Sequence, residues 1–469
     1  MHEKRVFKPR YKMQFDTIAA ISTAQGFGGI SIVRISGPEA FDICSSIFTS
    51  PSKTKIKDAP SFTIHYGSIC HTQTGEAIDE VLVSKMSGPK SYTREDIIEI
   101  NCHGGLVPAR LVLELVVAKG ARLAEAGEFT KRAFLNGRID LSQAEAVGQM
   151  VEANSEMSLA AAMSQLSGAT QEAVDSIKGK LVGGLAEIEV AIQYPEYDDL
   201  GAATDEQIAG LLEESIAVLR QLASTYKKGQ AIREGVKAVI IGKPNVGKSM
   251  LLNRLLGKDR AIVADFMGTT RDVIDDWVTI RGLAIRFYDT AGIRETSGIE
   301  QLGVDRSIAA IDEADLIIFV VDASQPLDSQ DKSIYEMAAS KPERIIALNK
   351  SDLGANPQTK AFFSGEERLI EVSAKDNTNV GVLAELVADA SGAFEASGMN
   401  FTVTLRHKLA LESAAQALSD GLEALKKGFP IDFVETDIND CLYHLGQITG
   451  ESAPEEIIDE IFSRFCIGK

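Results

Sequence analysis

The chain has 469 residues, of which 45% are hydrophobic and 25% are charged. This composition is ordinary for a globular protein, and the length exceeds what one hydrophobic core organises, so we expect two or three domains. The 48 Lys and Arg residues against 67 Asp and Glu residues give a net charge of −19. That balance argues against broad non-specific nucleic-acid binding, because phosphate neutralisation supplies most of that affinity.

Two further classes of protein are disfavoured by composition. No apolar run approaches the roughly 20 residues that a membrane-spanning helix needs. The five cysteines contain no C-x-x-C pair, so neither a zinc site nor a disulfide framework is predicted. A reducing cytoplasm fits this cysteine usage.

The first part of the chain, residues 1–128, alternates apolar and polar residues in short stretches that are separated by turns. This pattern predicts a mixed α+β domain. From Phe129 the chain becomes rich in helix-forming residues, and we expect a helical domain over 129–234. Thr204 and Gln207 form a predicted capping box. Behind it, one helical face carries a stripe that we interpret as packing, namely Ile208, Leu211, Leu212, Ile216, Leu219 and Leu222.

A nucleotide-binding module is predicted over 235–391, and helical sequence returns over 392–469. The simplest arrangement is a helical domain built from both flanks, with an α/β module inserted into it. Insertion is tolerated where the two ends of the inserted domain lie close together. The predicted fold class is therefore multidomain α/β, with an N-terminal α+β domain, a helical domain and an inserted P-loop domain of the Ras/Era type.

Residues 242–249 match the phosphate-binding pattern G-x-x-x-x-G-K-[ST]. They follow an apolar run, 236–241, and precede a segment with helical spacing. In that setting backbone N–H groups and a helix N-terminus converge on a polyphosphate. Lys248 then neutralises the β/γ-phosphates, and the Ser249 hydroxyl is a ligand for Mg²⁺.

A guanine-reading motif lies about a hundred residues downstream. Asn349, Lys350 and Asp352 follow the apolar run 345–348, at the carboxyl end of a predicted parallel strand, where open α/β sheets bind ligands. The Asp352 carboxylate accepts two hydrogen bonds from guanine, whereas adenine would leave it unpaired. Residues 373–375 fit the loop that backs the base.

Two more motifs lie between these. Asp289 begins Asp-Thr-Ala-Gly, which places the carboxylate near Mg²⁺ and the Gly292 N–H near the γ-phosphate. Thr270, within 268–272, is predicted to cap Mg²⁺ and sense the γ-phosphate. Together the motifs predict a GTPase. Ile293 occupies the position of the usual water-orienting Gln, so another group must orient the water, the candidates being Arg294, Glu295 and Glu300.

The sequence closely resembles the MnmE (TrmE) family of tRNA-modification GTPases over essentially its full length. Residues 268–272 and 289–292 are shared with other Era-like GTPases. More specific to the family are the segments 33–37, 102–105, 127–137 and the terminal Phe-Cys-Ile-Gly-Lys of 465–469.

The resemblance implies a K⁺-activated GTPase whose G domains dimerise across their nucleotides, with Glu300, Lys248 and Thr270 as catalytic residues. Mg²⁺ would be held by Ser249 and Thr270. K⁺ would be held by Asn245, Ala264, Phe266 and Thr269. The implied GTP-binding residues are Asn245, Val246, Gly247, Lys248, Ser249, Met250, Ala264, Asp265, Phe266, Met267, Gly268, Thr269, Thr270, Asp289, Thr290, Ala291, Gly292, Asn349, Lys350, Asp352, Ser373, Ala374 and Lys375.

The resemblance also implies that the N-terminal domain dimerises the protein and binds a tetrahydrofolate, as its 5-formyl or methylene form. Arg34, Glu99, Arg138 and Lys469 match the family's folate contacts. Cys466 is either a nucleophile or a small buried residue near the folate. His103 is read as a turn residue beside the pocket.

The implied partners are a second copy of the chain, tRNA and an FAD-dependent MnmG (GidA)-like protein in a heterotetramer. The reaction adds an aminomethyl-type or carboxymethylaminomethyl group to C5 of the tRNA wobble uridine. Two other functions stay open at this stage: an Era-like ribosome-assembly GTPase, and a folate-dependent transferase that GTP regulates. The first would carry a basic C-terminal RNA-binding module, whereas this chain ends in an acidic helical segment. Folate binding by 1–128 with the C-terminus would separate the Era-like hypothesis from the other two.

Overall fold

A computed structural model describes residues 16–24, 26–52, 55–193, 205–257, 277–289, 311–339, 343–393 and 402–469. Within them the chain forms an N-terminal sheet, a set of helices drawn from two separate parts of the sequence, and a second, mostly parallel sheet. The predicted multidomain α/β fold class is confirmed. No helix in these ranges is long and apolar enough to cross a membrane.

The N-terminal sheet has seven strands in the order β3-β4-β5-β6-β2-β1-β7. All neighbours are antiparallel except β1 and β7. Helices α1 and α2 cover one face, where alternate strand residues such as Val33, Ile98 and Val83 are buried. The strands are Ile18–Ile21 (β1), Ile30–Ser36 (β2), Phe48–Thr49 (β3), Thr63–Cys70 (β4), Ala77–Met86 (β5), Ile97–His103 (β6) and Arg122–Leu123 (β7), and the helices are Ala40–Ile47 (α1) and Leu106–Ala118 (α2), with a 3-10 turn at Ile56–Asp58.

The helical part combines segments from both sides of the second sheet. Leu181, Leu212, Leu219, Leu411 and Ile438 share one core, so residues before and after the inserted module fold together. The helices are Glu128–Leu135 (α3), Leu141–Glu152 (α4), Glu156–Leu166 (α5), Ala169–Gln193 (α6), Asp205–Ser224 (α7) and Tyr226–Glu234 (α8), and, after the module, Leu405–Lys426 (α13), Asp432–Thr449 (α14) and Glu455–Ser463 (α15).

The predicted apolar stripe lies on α7. Ile208, Leu212, Ile216, Leu219 and Leu222 are buried, which confirms packing as their role. Leu211 is only partly buried. Thr204 of the predicted capping box lies outside the described residues. Clear capping boxes occur instead at Asp140 with Gln143 and at Thr404 with His407, where each cap satisfies helix N–H groups that have no partner within the helix.

The second sheet has six strands in the order β13-β12-β11-β8-β10-β9, and only the β9–β10 pair at the edge is antiparallel. Helices lie on both faces over separate apolar clusters, as parallel sheets require. The strands are Val236–Ile241 (β8), Trp277–Ile280 (β9), Leu283–Asp289 (β10), Leu316–Asp322 (β11), Arg344–Asn349 (β12) and Leu369–Glu371 (β13), and the helices are Lys248–Leu256 (α9), Ser329–Ala339 (α10), Pro357–Phe362 (α11) and Val380–Ala390 (α12), with a 3-10 turn at Ser351–Leu353.

The chain passes from the helices into the second sheet and back again at two neighbouring points. Arg233, at the end of α8, donates from Nη1 to the carbonyl of Val403 at 2.8 Å. Val403 directly precedes the cap of α13. This contact brings the ends of the inserted segment together, which is the geometry that domain insertion needs.

Candidate functional site

The phosphate-binding loop joins β8 to α9, as predicted. Asn245 and Gly247 adopt left-handed backbone conformations, with φ of 65° and 97°, and α9 begins at Lys248. The buried Lys248 ammonium donates to the carbonyls of Gly242 at 3.0 Å and Lys243 at 2.8 Å. The loop therefore curls around a cation at the N-terminus of a helix, and both features attract phosphate.

Asn349 joins the phosphate loop to the two loops predicted to read the base. Its side chain is 2% exposed. Nδ2 donates to the Val246 carbonyl at 2.8 Å, and Oδ1 accepts from the Ala374 N–H at 3.0 Å. Gly247 must be a glycine here, because a Cβ at that position would lie 2.3 Å from Asn349 Nδ2.

The Asp352 carboxylate, predicted to read the base, is held by its neighbours. Oδ1 accepts a hydrogen bond from the Ser373 hydroxyl at 2.8 Å, and Lys375 Nζ lies 3.9 Å from Oδ2. Arg254 of α9 donates to the carbonyls of Ala374 and Lys375 at 3.1 and 3.0 Å. The base-backing loop is thus held against the helix that starts at the phosphate loop.

Lys350 has a left-handed backbone, with φ of 63°, and its ammonium lies 2.7 Å from Asp322 Oδ2. Burial raises the pKa of Asp322, but Lys350 and Ser324 outweigh it, so this pKa lies below its usual range. Sequence reasoning missed Asp322 and Arg254. Asp322 ends the apolar run of β11, a signal that parallels the position of Asn349 at the end of β12.

The remaining nucleotide-site predictions are only partly placed. Ser249 is the second residue of α9, and Met250 is 52% exposed. Asp289 ends β10 and is paired with Ile240 of β8. Ile240 lies just before the start of the phosphate loop. A hydroxyl such as that of Ser249 is one of the oxygen ligands that Mg²⁺ takes. The following predicted residues lie outside the described residues: Ala264, Asp265, Phe266, Met267, Gly268, Thr269, Thr270, Thr290, Ala291, Gly292, Arg294, Glu295 and Glu300.

The predicted folate residues meet at the open face of the N-terminal sheet. Arg34 of β2 is opposite Glu99 of β6, and its Nε and Nη2 both lie 2.9 Å from Glu99 Oε1. Arg34 Nη1 also donates to the Gly468 carbonyl at 3.3 Å. Burial and nearby Arg34 lower the pKa of Lys469, despite Cys466.

Two aromatic rings complete this region. The Arg34 guanidinium lies 5.7 Å from the Tyr92 ring centroid and 5.5 Å from that of Phe129, and the Arg138 guanidinium lies 4.6 Å from Tyr92. Tyr92 thus lies near both predicted arginines. Sequence reasoning did not single out Tyr92 or Phe129, although Phe129 lies within the 127–137 segment that carried the family resemblance.

The C-terminal tail is fixed to the start of α3. Gly127 and Phe129 donate their N–H groups to the carbonyls of Cys466 at 3.4 Å and Lys469 at 3.2 Å. Gly468 has φ of 94°, and a Cβ there would lie 2.4 Å from the Ile21 carbonyl oxygen. This close approach explains a glycine at that position.

Two predictions need correction. Cys466 is exposed, so the alternative of a small buried residue is wrong: its backbone carbonyl pairs with Gly127, and the residue lies at the wall of an open cavity. His103 is the last residue of β6 rather than a turn residue. Its Nδ1 lies 2.6 Å from Asp79 Oδ1, and this hydrogen bond raises the pKa of His103.

A cavity of about 630 Å³ lies between α4, α8, α13 and α15, and Cys466 and Lys469 contribute to its wall. Glu145 lies at this cavity and pairs with Arg406 at 2.8 Å. The buried His407 ring lies 2.9 Å from the other Glu145 oxygen. The cavity therefore extends from the tail to the crossing where the inserted segment leaves the helices.

Comparison with known proteins places the chain. A family model described as "GTP-binding protein TrmE N-terminus" matches residues 17–138, and one described as "MnmE helical domain" matches residues 141–466. The tRNA modification GTPase MnmE of Carboxydothermus hydrogenoformans is 46% identical over 466 residues, which cover 97% of this chain and 100% of the relative. That of Geobacillus thermodenitrificans is 44% identical, with 97% and 100% covered.

Among solved structures, an Aquifex aeolicus Era bound to GDP and AlF4⁻ is similar to 39% of this chain and 66% of its own, with 29% identity and a TM-score of 0.27. This likeness concerns only a part of the chain, whereas the MnmE relatives match nearly all of it. The chain belongs to the MnmE (TrmE) family of tRNA-modification GTPases.

Proposed function

We propose that the protein hydrolyses GTP and, with an FAD-dependent MnmG (GidA)-like partner, modifies C5 of the tRNA wobble uridine with a tetrahydrofolate one-carbon unit. The group added is of the aminomethyl or carboxymethylaminomethyl type. The observation that carries the GTP half is Asn349, which binds the phosphate loop through Val246 and the base loop through Ala374. A tRNA substrate makes the cytoplasm the proposed site of action.

Guanine selection follows from the oriented carboxylate of Asp352. Both the base's N1–H and its exocyclic amine can donate to this carboxylate, and Ser373 fixes the direction in which it points. Adenine offers no such pair of donors, so it would leave a desolvated charge unpaired, which costs several kcal/mol.

Hydrolysis is proposed to use Lys248 and an Mg²⁺ held by Ser249 and Thr270. These groups stabilise negative charge on the phosphates as the bond to the γ-phosphate breaks. Glu300 is the proposed water-positioning residue, because Ile293 has no group that could polarise a water. Thr270 and Glu300 enter from the family resemblance.

A K⁺ ion is proposed to supply the charge that an arginine finger provides in other GTPases. Its ligands would be Asn245 with Ala264, Phe266 and Thr269, completed when two G domains dimerise across their nucleotides. The described member, Asn245, has a left-handed backbone within the phosphate loop. A cation there adds to the stabilisation of developing charge at the β–γ bridge.

The folate is proposed to bind at the Arg34 region. A pterin has donor edges that suit the Glu99 carboxylate and a flat ring that suits Tyr92, while the glutamate tail suits cations. Arg34, Arg138 and Lys469 supply those cations. Because Cys466 is exposed, the nucleophile is the alternative that we propose for it.

A homodimer through the N-terminal domain is supported by an exposed apolar strip on the open face of its sheet. Ile64, Tyr66 and Leu82 are 67%, 53% and 45% exposed, and Tyr66 is paired directly with Leu82 across β4 and β5. Contiguous exposed apolar side chains mark interaction surfaces. The proposed domains are 1–128 for folate binding and dimerisation, 129–234 and 392–469 for the helical domain, and 235–391 for the G domain.

The Era-like ribosome-assembly alternative rests on likeness to part of the chain alone. A folate-dependent transferase merely regulated by GTP shares both sites, and only turnover measurements separate it from the main proposal.

The proposal is tested by complementation of a bacterial strain that lacks its own MnmE. Wobble-uridine modification is measured in the tRNA nucleosides by mass spectrometry. The chain should restore modification, and Lys248→Ala should not, with equal amounts of protein in the cells. Failure of the unaltered, expressed chain to restore modification would contradict the proposal, whereas restoration by Lys248→Ala would remove GTP hydrolysis from it.

A further inference from the structure

Lys243, the second residue of the phosphate loop, is tied to the start of α10. Its ammonium lies 2.7 Å from Asp328 Oδ2 and 2.7 Å from Asp331 Oδ2. The Lys243 side chain is 20% exposed, Asp331 only 4% and Asp328 57%. Asp331 is therefore the desolvated partner, and an ion pair out of water is screened far less than one on the surface.

The helix start fixes both carboxylates. Asp331 Oδ2 accepts the N–H of Asp328 at 3.1 Å, and Asp328 Oδ1 accepts the N–H groups of Gln330 and Asp331 at 2.9 and 3.0 Å. Among the described residues, the buried Asp331 Oδ1 has no hydrogen-bond partner. Lys243 is thus the cation that compensates a carboxylate with little access to water.

Lys243, which the two aspartates hold, also contacts the phosphate site through its backbone. The Lys243 carbonyl accepts from Lys248 Nζ at 2.8 Å. At the other end of the loop, the Val246 carbonyl is held by Asn349. The loop is consequently fixed at both ends, by a motif residue on one side and by a non-motif ion pair on the other.

We propose that Asp331, assisted by Asp328, is a positioning residue for nucleotide binding, because it holds Lys243 and so keeps the phosphate loop in the shape that receives a di- or triphosphate. This inference rests on the proposed nucleotide site. A loop that is already shaped loses less conformational freedom when the ligand binds, and the saving appears as affinity.

The ion pair of Lys243 with Asp331 and Asp328, called the anchor below, predicts a specific pattern of binding and turnover. Asp331→Asn should raise the Kd for GDP and for GTP by the same factor, about 10-fold, which corresponds to about 1.4 kcal/mol. The kcat at saturating GTP should stay close to that of the unaltered protein, because bound nucleotide restores the loop and the anchor makes no contact peculiar to the transition state. Asp328→Asn should have a smaller effect, since exposed ion pairs contribute little.

A double-mutant cycle on the full chain tests the anchor, with fluorescent GDP and GTP analogues as probes. Asp331→Asn, Lys243→Met and the double variant should each lose about the same affinity, because all three remove one interaction. Lys243→Arg should retain most affinity, since a guanidinium can reach both carboxylates. Glu336→Gln, which removes an exposed carboxylate from the same helix, should bind normally.

Losses that multiply in the double variant would overturn the proposal, as would normal affinity in Asp331→Asn or a fall in kcat without a change in affinity. Lys243→Met leaves the buried Asp331 carboxylate without its cation; should that variant fail to fold, the double variant decides, because it leaves no unpaired buried charge. Lys248→Ala distinguishes a failure of the proposed nucleotide site from a failure of the proposed role of Asp331. If it retains GDP binding, the proposed nucleotide site fails, whereas its loss together with normal Asp331→Asn binding overturns the anchor alone.

Discussion

The nucleotide site and the Arg34 region differ in how the chain builds them. The described nucleotide loops follow the carboxyl ends of parallel strands β8 and β12, and each loop is one short motif. The Arg34 region joins residues that are 434 positions apart, since Arg34 donates to the Gly468 carbonyl. The nucleotide loops can therefore be recognised from the sequence alone. The Arg34 region forms only when the C-terminal tail has docked against the N-terminal sheet.

The two regions also hold their charges differently. In the nucleotide site, Lys248 is directed by loop carbonyls and Lys350 by Asp322. In the Arg34 region, the guanidinium is paired with Glu99 and lies beside two aromatic rings. The first arrangement suits compact phosphate charge, and the second suits a flat ligand with polar edges. The two regions should therefore respond to different ligands and to different substitutions.

The largest expected effect concerns turnover at the nucleotide site. Glu300→Ala should lower kcat by on the order of 10²–10⁴-fold with little change in GTP affinity, because a water-positioning carboxylate acts mainly in the transition state. Steady-state hydrolysis with direct GTP binding checks this. Arg294→Ala and Glu295→Ala are the controls and should lose much less. Normal turnover in all three variants would leave catalysis to the cation and the backbone.

Base selection should depend on Asp352. Asp352→Asn should weaken GTP binding by about 100-fold and admit xanthosine triphosphate, because an amide donates where the carboxylate accepted. Competition binding with both nucleotides checks the exchange. Ser373→Ala is a matched control, since it loosens the carboxylate without changing its chemistry and should not admit xanthosine triphosphate. Unaltered GTP affinity in Asp352→Asn would mean that this residue does not read the base.

The proposed cation should distinguish K⁺ from Na⁺. We expect GTP turnover to be about 10-fold or more faster in K⁺ at equal ionic strength, because a bound K⁺ stabilises charge at the β–γ bridge. Asn245→Ala should abolish the difference. Equal turnover in the two salts would instead favour an arginine supplied by a partner.

A smaller effect is expected at the cavity beside the C-terminal tail, where Glu145 of α4 contacts Arg406 and His407 of α13. Burial and neighbouring Arg406 lower the pKa of His407, despite the Glu145 carboxylate. The folded protein therefore holds His407 neutral, and the unfolded chain takes up a proton as pH falls below about 6.5. The stability of the packing between α4 and α13 should therefore fall by up to about 1.4 kcal/mol for each pH unit below pH 6.5.

Hydrogen exchange of α13 amides at pH 7.5 and pH 5.5 checks this dependence. Glu145→Gln should lower the opening free energy by about 3 kcal/mol at pH 7.5, because it leaves the Arg406 charge uncompensated. His71→Gln, at an exposed position, should change neither value. A stability of α13 that does not vary with pH would show that His407 does not titrate as described.

The strand–loop–helix setting of the phosphate loop could be predicted from the sequence because such junctions are local. Gly242 and Lys248 follow β8, and Asn349 and Asp352 lie at the end of β12 and just after it, as predicted, whereas Thr270 and Glu300 lie outside the described residues. The sequence did not predict Asp331 or Tyr92, because their roles depend on contacts that no local pattern encodes. Asp331 faces Lys243 only when α10 packs beside the phosphate loop, and Tyr92 lies near Arg34 of β2 and near Arg138, which follows α3, only in the folded chain.

The sequence left two alternatives open for Cys466, and the buried one is wrong for a related reason. A short residue in an apolar terminal segment is usually buried. Here the tail pairs with Gly127 and Phe129 through its backbone, and Cys466 stays exposed. Exposure is thus set by the docking of the tail and not by its composition.

The independence of the two regions is tested most directly by calorimetric titration of the full chain and a variant lacking residues 467–469. The two ligands are 5-formyltetrahydrofolate and GDP. Removal of the tail takes away Lys469 and the Gly468 carbonyl that binds Arg34, so folate binding should be lost while GDP affinity stays within about two-fold. Unaltered folate affinity, or an equal loss of GDP affinity, would contradict the account.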